Sequence, residues 1–313
     1  MNYTKVDCMY KGSNFQDNVN FQSQSFQILS FLICVLGGVT SPITVAGNGL
    51  VVVALLRKQS LRTPTNILIC SLALSDWLTG VCFIPSFIVY VSSLEHFNSC
   101  YFIGILFAFG WLGCGASFLG MVGVSFERYL ALFLHLKYDS FMTVLRATSL
   151  NAISWSIPIL VASLYLAGYF AISLIISITL LIPGLVVVAV IYLKIFLLVK
   201  KHRKQIQAQE ISGNSPQAEK QRKLAVTIGM IVGVSFLCYL PIFIASLVAF
   251  MVNFTPLAKE LLGFCSFLFT FSSFCNPFIY CHRNQEIRKA VLSCLSDLKR
   301  WFRSTIRLVC YIN

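Results

Sequence analysis

Charge is what this sequence has least of. Asp, Glu, Lys and Arg together make up 11% of its 313 residues, and Asp plus Glu number only 11. Soluble domains carry roughly 25% charged residues, so a water-soluble globular fold is excluded. The first 25 residues lack an apolar core ahead of a cleavage site. No cleaved signal peptide is expected, and the first membrane helix would itself direct insertion. No cluster of His or acidic residues falls within an apolar run: His96, His135, His202 and His282 sit at run ends or in loops. That argues against a membrane-embedded metalloenzyme. Internal repeats and a trail of charges through the apolar runs are also missing, which argues against a transporter or channel.

The net charge of +13 does not mark a nucleic-acid groove. Lys5, Lys11 and Lys259 are assigned outside the membrane, and the other basic residues fall at the opposite ends of apolar runs, in the loops there, or in the tail. This is the positive-inside asymmetry. Most of the 12 cysteines lie inside apolar runs, where they read as small buried hydrophobes rather than a disulfide framework.

Seven apolar runs of membrane length are present, over Ile28–Leu56, Asn66–Val91, Tyr101–Leu132, Val144–Leu166, Tyr169–Val199, Lys223–Val252 and Leu261–Cys281. The stretch from Val144 to Val199 is nearly unbroken. As one helix it would be ~84 Å long, far more than the ~30 Å hydrocarbon core, so it must turn back on itself. Ala167-Gly168-Tyr169 is the predicted turn, because Gly168 is the only turn former near the middle. Arg57, Lys58 and Arg62, then Lys137 and Arg146, then Lys200, Lys201, Arg203 and Lys204 place three loops on the cytoplasmic side and the N-terminus outside. The sequons at Asn2 and Asn253 fall on the expected outer face. The resulting fold class is all-α: residues 1–27 outside, a seven-transmembrane-helix bundle over 28–281, and a cytoplasmic segment over 282–313. In that last segment, Asn284–Leu295 patterns as a short amphipathic eighth helix on the inner bilayer surface. Cys294 at its end is a candidate for palmitoylation, the alternative being a free interfacial thiol.

Several polar residues stand at fixed depths in these runs. Gly47-Asn48 lies in the first, Leu72-Ala73-Leu74-Ser75-Asp76 in the second, Glu127-Arg128-Tyr129 at the inner end of the third, and Trp155 in the fourth. Pro183 lies in the fifth, Cys238-Tyr239-Leu240-Pro241 in the sixth, and Asn276-Pro277-Phe278-Ile279-Tyr280 in the seventh. In this order the chain resembles a rhodopsin-like (class A) G protein-coupled receptor over essentially the whole membrane region. The resemblance implies a plasma-membrane receptor without catalytic chemistry. A heterotrimeric G protein, an extracellular ligand, the lipid bilayer, an arrestin and a receptor kinase would be its partners. A transporter or channel, or a receptor-like scaffold that does not signal, is the alternative.

By family position, Arg128 is the coupling residue, restrained at rest by Glu127, and Leu136 in the second inner loop is the apolar contact for the G protein. Tyr239 stands for the usual tryptophan toggle, and Pro241 and Pro277 are expected kinks. Tyr192 and Tyr280 are the inner tyrosines expected to bridge the active state. The acid that many relatives carry on helix six is here Gln221. A weaker inner clamp and measurable basal signalling are therefore expected. Asp76 needs partners in the bilayer, and Asn48, Ser117, Ser272, Ser273 and Asn276 are expected around it, either holding a sodium ion or solvating a protonated acid. No other cofactor is expected.

Amine receptors pair the ligand with a carboxylate on helix three, where this chain has Gly110. No acid other than Asp76 is expected in the membrane core, so the ligand is expected to be a lipid, another small apolar molecule or a peptide rather than a biogenic amine. Thr270 stands where an opsin would have its lysine. Gly110, Trp111, Cys114, Phe243, Phe267 and Thr270 are the expected ligand contacts, with His96 and Lys259 at the rim. The family's usual outer disulfide has no second cysteine here, because almost no loop separates helices four and five. Cys8 with Cys100 is the candidate bridge, two free thiols the alternative. The short second outer loop resembles the melanocortin, lysophospholipid, cannabinoid and adenosine group.

Overall fold

The computed structural model describes residues 24–92, 100–134, 137–208, 233–234, 237–249, 251–252 and 255–312. Among them are helices α1 (Gln24–Arg57), α2 (Pro64–Ser92), α3 (Cys100–Phe133), α4 (Val144–Leu166), α5 (Phe170–Ala208), α6 (Leu237–Ala249), α7 (residues 256–283) and α8 (Gln285–Ile312). Six of these, α1 to α5 and α7, are long and apolar enough to cross a membrane, and α6 is a shorter apolar helix within the sixth predicted run. The bundle has no strands among the described residues. Asn2, Cys8, Leu136, Gln221 and Asn253 lie outside the described residues, as do the side chains of Cys100 and Lys259 and the whole of His96.

Local chemistry fixes the helix ends. Thr63 caps α2 by accepting from Asn66 N (3.3 Å), with Pro64 at the first helical position. Thr143 caps α4 in the same way through Arg146 N (3.3 Å). The predicted turn between helices four and five is where the sequence places it. Gly168 has φ 88°, and Tyr169 N donates to Leu164 O while Gly168 N donates to Tyr165 O. This is a Schellman closure, which favours glycine at its left-handed position. Halfway along α2, Thr79–Phe83 forms a single π-helical turn. Ser41 Oγ donates to Gly80 O there (2.8 Å) and Thr79 Oγ1 to Ser75 O (3.0 Å).

Buried side chains gather in two main clusters. The inner one joins Val51, Leu55, Leu68, Leu72, Val124, Ala147 and Tyr280 to Ile287, Val291 and Cys294 of α8. The outer one joins Ile33, Phe83, Phe87, Leu106, Phe118, Met121, Val188, Tyr239, Phe267 and Phe269. Along α5 the outward side chains Ile175, Ile182, Val186, Leu193 and Phe196 are exposed, as expected of a helix that turns one face to lipid.

The eighth helix is longer than its predicted span and runs on to Ile312. Asn284 starts it, its Oδ1 accepting from Glu286 N (3.0 Å) and Ile287 N (3.2 Å). No Gly or Pro follows, and the apolar spacing continues through Leu298 and Trp301. The candidate palmitoylation site lies inside this packing. The Cys294 side chain is 5% exposed within the inner cluster, so an acyl chain on it would require this helix end to repack.

Candidate functional site

Three features lie along the bundle axis: an outer cavity, a central polar layer and an inner ion pair. The cavity has a volume of about 290 Å³ and takes wall residues from all seven bundle helices. Gly110, Trp111, Cys114 and Phe243 line it, as the sequence predicts. Gly110 is needed for its size: a Cβ there would stand 2.9 Å from the Phe83 ring, which packs across the helix. Tyr239 forms the floor, with ring centroids 5.3 Å from Phe118 and 6.0 Å from Phe269.

Two expected contacts are corrected. Phe267 and Thr270 are buried but do not line the cavity; Phe269 and Ser266 do. The helix is interrupted between Leu268 and Thr270, so Phe269 takes the inward position while Thr270 Oγ1 donates to Phe267 O (2.6 Å). Glu260, near the outer end of α7, also lines the cavity. The expectation of no usable acid besides Asp76 missed it by counting only the middle of the bilayer. The spacing of Glu260, Gly263, Ser266 and Phe269, all cavity residues, was the available signal.

Below the floor, Asp76 is fully buried and accepts from Ser117 Oγ (2.9 Å), Ser273 Oγ (2.7 Å) and Asn276 Nδ2 (2.7 Å). Asn48 Nδ2 joins the layer by donating to Ser273 O (2.9 Å) and Thr44 O (3.0 Å), and Ser272 is buried beside them. Asn48 Oδ1 and Thr44 Oγ1 are buried without a hydrogen-bond partner. A carboxylate, hydroxyl oxygens and an orphaned amide oxygen form a hard-oxygen set that fits sodium.

At the inner mouth Glu127 is wholly buried and Arg128 Nε stands 3.1 Å from its Oε2. Two further groups reach Glu127 Oε1: Thr65 Oγ1 donates from α2 (2.7 Å), and Tyr138 donates its phenol from the one-turn helix Tyr138–Phe141. Sequence reading did not identify either. Burial, then its bond to Glu127 and that residue's charge, push the Tyr138 phenol up to about 12. Tyr129 turns away from the pair, against Phe133 (4.5 Å) and under Lys194 Nζ (5.5 Å). The two inner tyrosines share no hydrogen bond: Tyr192 pairs with Ser125 Oγ (3.5 Å), and the buried Tyr280 hydroxyl has no hydrogen-bond partner. Pro277 packs on Gly47, where a Cβ would meet its ring at 2.9 Å. Trp155 Nε1 donates to Ser71 Oγ (2.8 Å), tying α4 to α2.

A helical bundle with an apolar cavity at one end, a buried carboxylate at its centre and a paired arginine at the other end defines a transmembrane receptor. The chain belongs to the rhodopsin family of 7 transmembrane receptors, whose family model matches residues 47–169 and 167–280. It is 31% identical over 305 residues to trace amine-associated receptor 5 of Rattus norvegicus, covering 87% of this chain and 86% of that protein. Trace amine-associated receptor 13c of Danio rerio is 30% identical, with 85% and 82% covered. Trace amine-associated receptor 2 of Homo sapiens is 28% identical, with 76% and 74% covered. The chain is therefore a multi-pass G protein-coupled receptor and not an enzyme, and the transporter reading falls away. These relatives differ from the melanocortin, lysophospholipid, cannabinoid and adenosine group to which the short outer loop pointed.

Proposed function

We propose that this receptor works at the plasma membrane with its N-terminus outside. It takes a small ligand with a large apolar body into the outer cavity and passes the signal to a heterotrimeric G protein through Arg128. The observation that carries this reading is the cavity itself, which draws on seven helices and ends on Tyr239. A ligand that presses on Tyr239 acts on Phe118 and Phe269 together, and so on α3, α6 and α7 at once. Binding then shifts an existing equilibrium rather than building a new state. The closed Glu127–Arg128 pair and the lack of a hydrogen bond between Tyr192 and Tyr280 support assignment of this arrangement to the resting state.

Sodium, held by Asp76, Ser117, Ser273, Asn276 and Asn48, would supply positive charge to a buried carboxylate and so favour rest. Leu136 is the proposed apolar contact for the G protein, and Gln221 in place of an acid raises basal signalling. An arrestin and a receptor kinase would share the same inner face. The relatives are named for trace amines, but Gly110 leaves this chain without a carboxylate at the helix-three position. The test is a ligand-library screen read by G protein dissociation sensors in cells, with Arg128→Ala as control. Hits that signal in wild type and fall silent in Arg128→Ala at equal surface expression support the reading. Hits that signal equally in both overturn it.

A further inference from the structure

At the elbow between α7 and α8 lies a second cavity of about 310 Å³, separate from the outer chamber. Cys281 and His282 from the last turn of α7 line it, with Arg288, Val291 and Leu292 from the start of α8. Two of these side chains can carry positive charge, and no acid lines the cavity among the described residues. His282 and Arg288 are exposed, and neither is paired with an acid among the described residues. The geometry of the helix explains why. At ~100° per residue, the two acids of α8, Glu286 and Asp297, lie roughly 160° and 180° round its axis from Arg288. Asp297 is turned to α1, where its Oδ2 stands 3.9 Å from Arg57 Nη1. One flank of α8 therefore takes its carboxylates toward or beside α1, and the flank at the elbow is left with positive charge alone. The apolar side of the cavity continues along α7. Phe278, Phe274 and Phe271 precede Cys281 at helical spacing and so share its face. Their rings stand 5.3 Å (Phe274 to Phe278) and 6.3 Å (Phe271 to Phe274) apart, and Phe278 and Leu292 are exposed. This stripe leads from the elbow into the membrane-spanning part of α7.

We propose that this elbow binds one anionic phospholipid from the leaflet at the Arg128 end of the bundle. Its phosphate accepts from the Arg288 guanidinium and the His282 ring, and one acyl chain lies along Leu292, Phe278 and Phe274. Arginine recognises phosphate oxygens through paired N–H donors, and positive charge at the membrane surface selects anionic lipid. A zwitterionic lipid brings its own ammonium to the same place and gains less. A free phosphate ion has no chain to cover the aromatic stripe. The site is independent of the outer cavity and of whatever ligand binds there.

The test uses the full-length receptor purified in detergent and incubated with equal amounts of phosphatidylglycerol and phosphatidylcholine carrying identical chains. Retained lipid is counted by native mass spectrometry. A single phosphatidylglycerol is expected to be held about tenfold more tightly than phosphatidylcholine. Arg288→Gln should bring that ratio close to one while leaving phosphatidylcholine retention and melting temperature as in wild type, which also reports that the variant is folded. Lys58→Gln, an equal loss of charge in the loop after α1, should leave the ratio unchanged. Excess inorganic phosphate should not displace the lipid. Equal retention of the two lipids, or a preference that survives Arg288→Gln, overturns the inference. So does a preference that Lys58→Gln removes equally well, because diffuse charge rather than a site would then be at work. Displacement by inorganic phosphate overturns it too, since the elbow would hold the anion without the chain.

Discussion

At the scale of single residues, the proposed resting restraint is shared. Arg128 faces Glu127 at 3.1 Å, but Glu127 is itself held by Thr65 and Tyr138 through its other oxygen. Charge-assisted hydrogen bonds of this kind are worth about 1.5–3 kcal/mol when dry, and Tyr138 is only half-buried. Tyr138→Phe should therefore release about 1 kcal/mol of restraint, or roughly a fivefold shift toward the active state. Agonist-free G protein dissociation at matched surface expression measures it; basal activity equal to wild type would show that Tyr138 restrains nothing. The sign with pH follows from the raised phenol. Its contribution is fully present below pH ~10, the free-tyrosine value, and is lost as pH rises through about 12. Physiological acidification should leave this bond unchanged.

At the scale of elements, the α4–α5 junction is the sharpest case of local sequence dictating structure. Gly168 at φ 88° closes α4 with two backbone bonds, and a β-branched residue there costs roughly 1–2 kcal/mol. Gly168→Val should lower the melting temperature of the solubilised receptor, whereas Ala167→Ser should not. This turn was legible because glycine is rare in the run around it. Asp76 and its donors were legible for a related reason, since polar side chains stand out against an apolar background. What escaped were contacts made across elements. Tyr138 reaches Glu127 from a loop helix, Thr65 reaches it from another bundle helix, and neither pattern has a period in the sequence. The interruption at Phe269 that exchanged Thr270 for Ser266 in the cavity wall is a backbone event with no composition signal. The second half of the eighth helix was harder to read because Asp297, Lys299, Arg300 and Arg303 dilute its apolar stripe beyond Leu295.

Across the whole molecule, the polar layer falls between the two main buried clusters along the chain: Asp76 stands between Leu72 and Phe83 on α2, and Asn276 between Phe269 and Tyr280 on α7. Residues of the outer cluster line the cavity, and Tyr138 packs against the inner one. Packed interiors do not deform smoothly, so motion between the halves has to pass through this layer. Replacing potassium by sodium at constant ionic strength should lower basal signalling in membranes and raise the melting temperature. Asp76→Asn should abolish both responses; a sodium response retained by the variant would place the ion elsewhere. The π turn at Thr79–Phe83 begins three residues beyond Asp76 on the same helix. Such a turn holds one more residue than the α-helix it interrupts. Loss of one residue there would let α2 close as a continuous α-helix, with Phe83, Phe87 and Tyr90 keeping nearly their present direction, because the extra residue is absorbed within the turn itself. Receptors descended from this one could shed that spare residue without turning the aromatic wall away from the cavity.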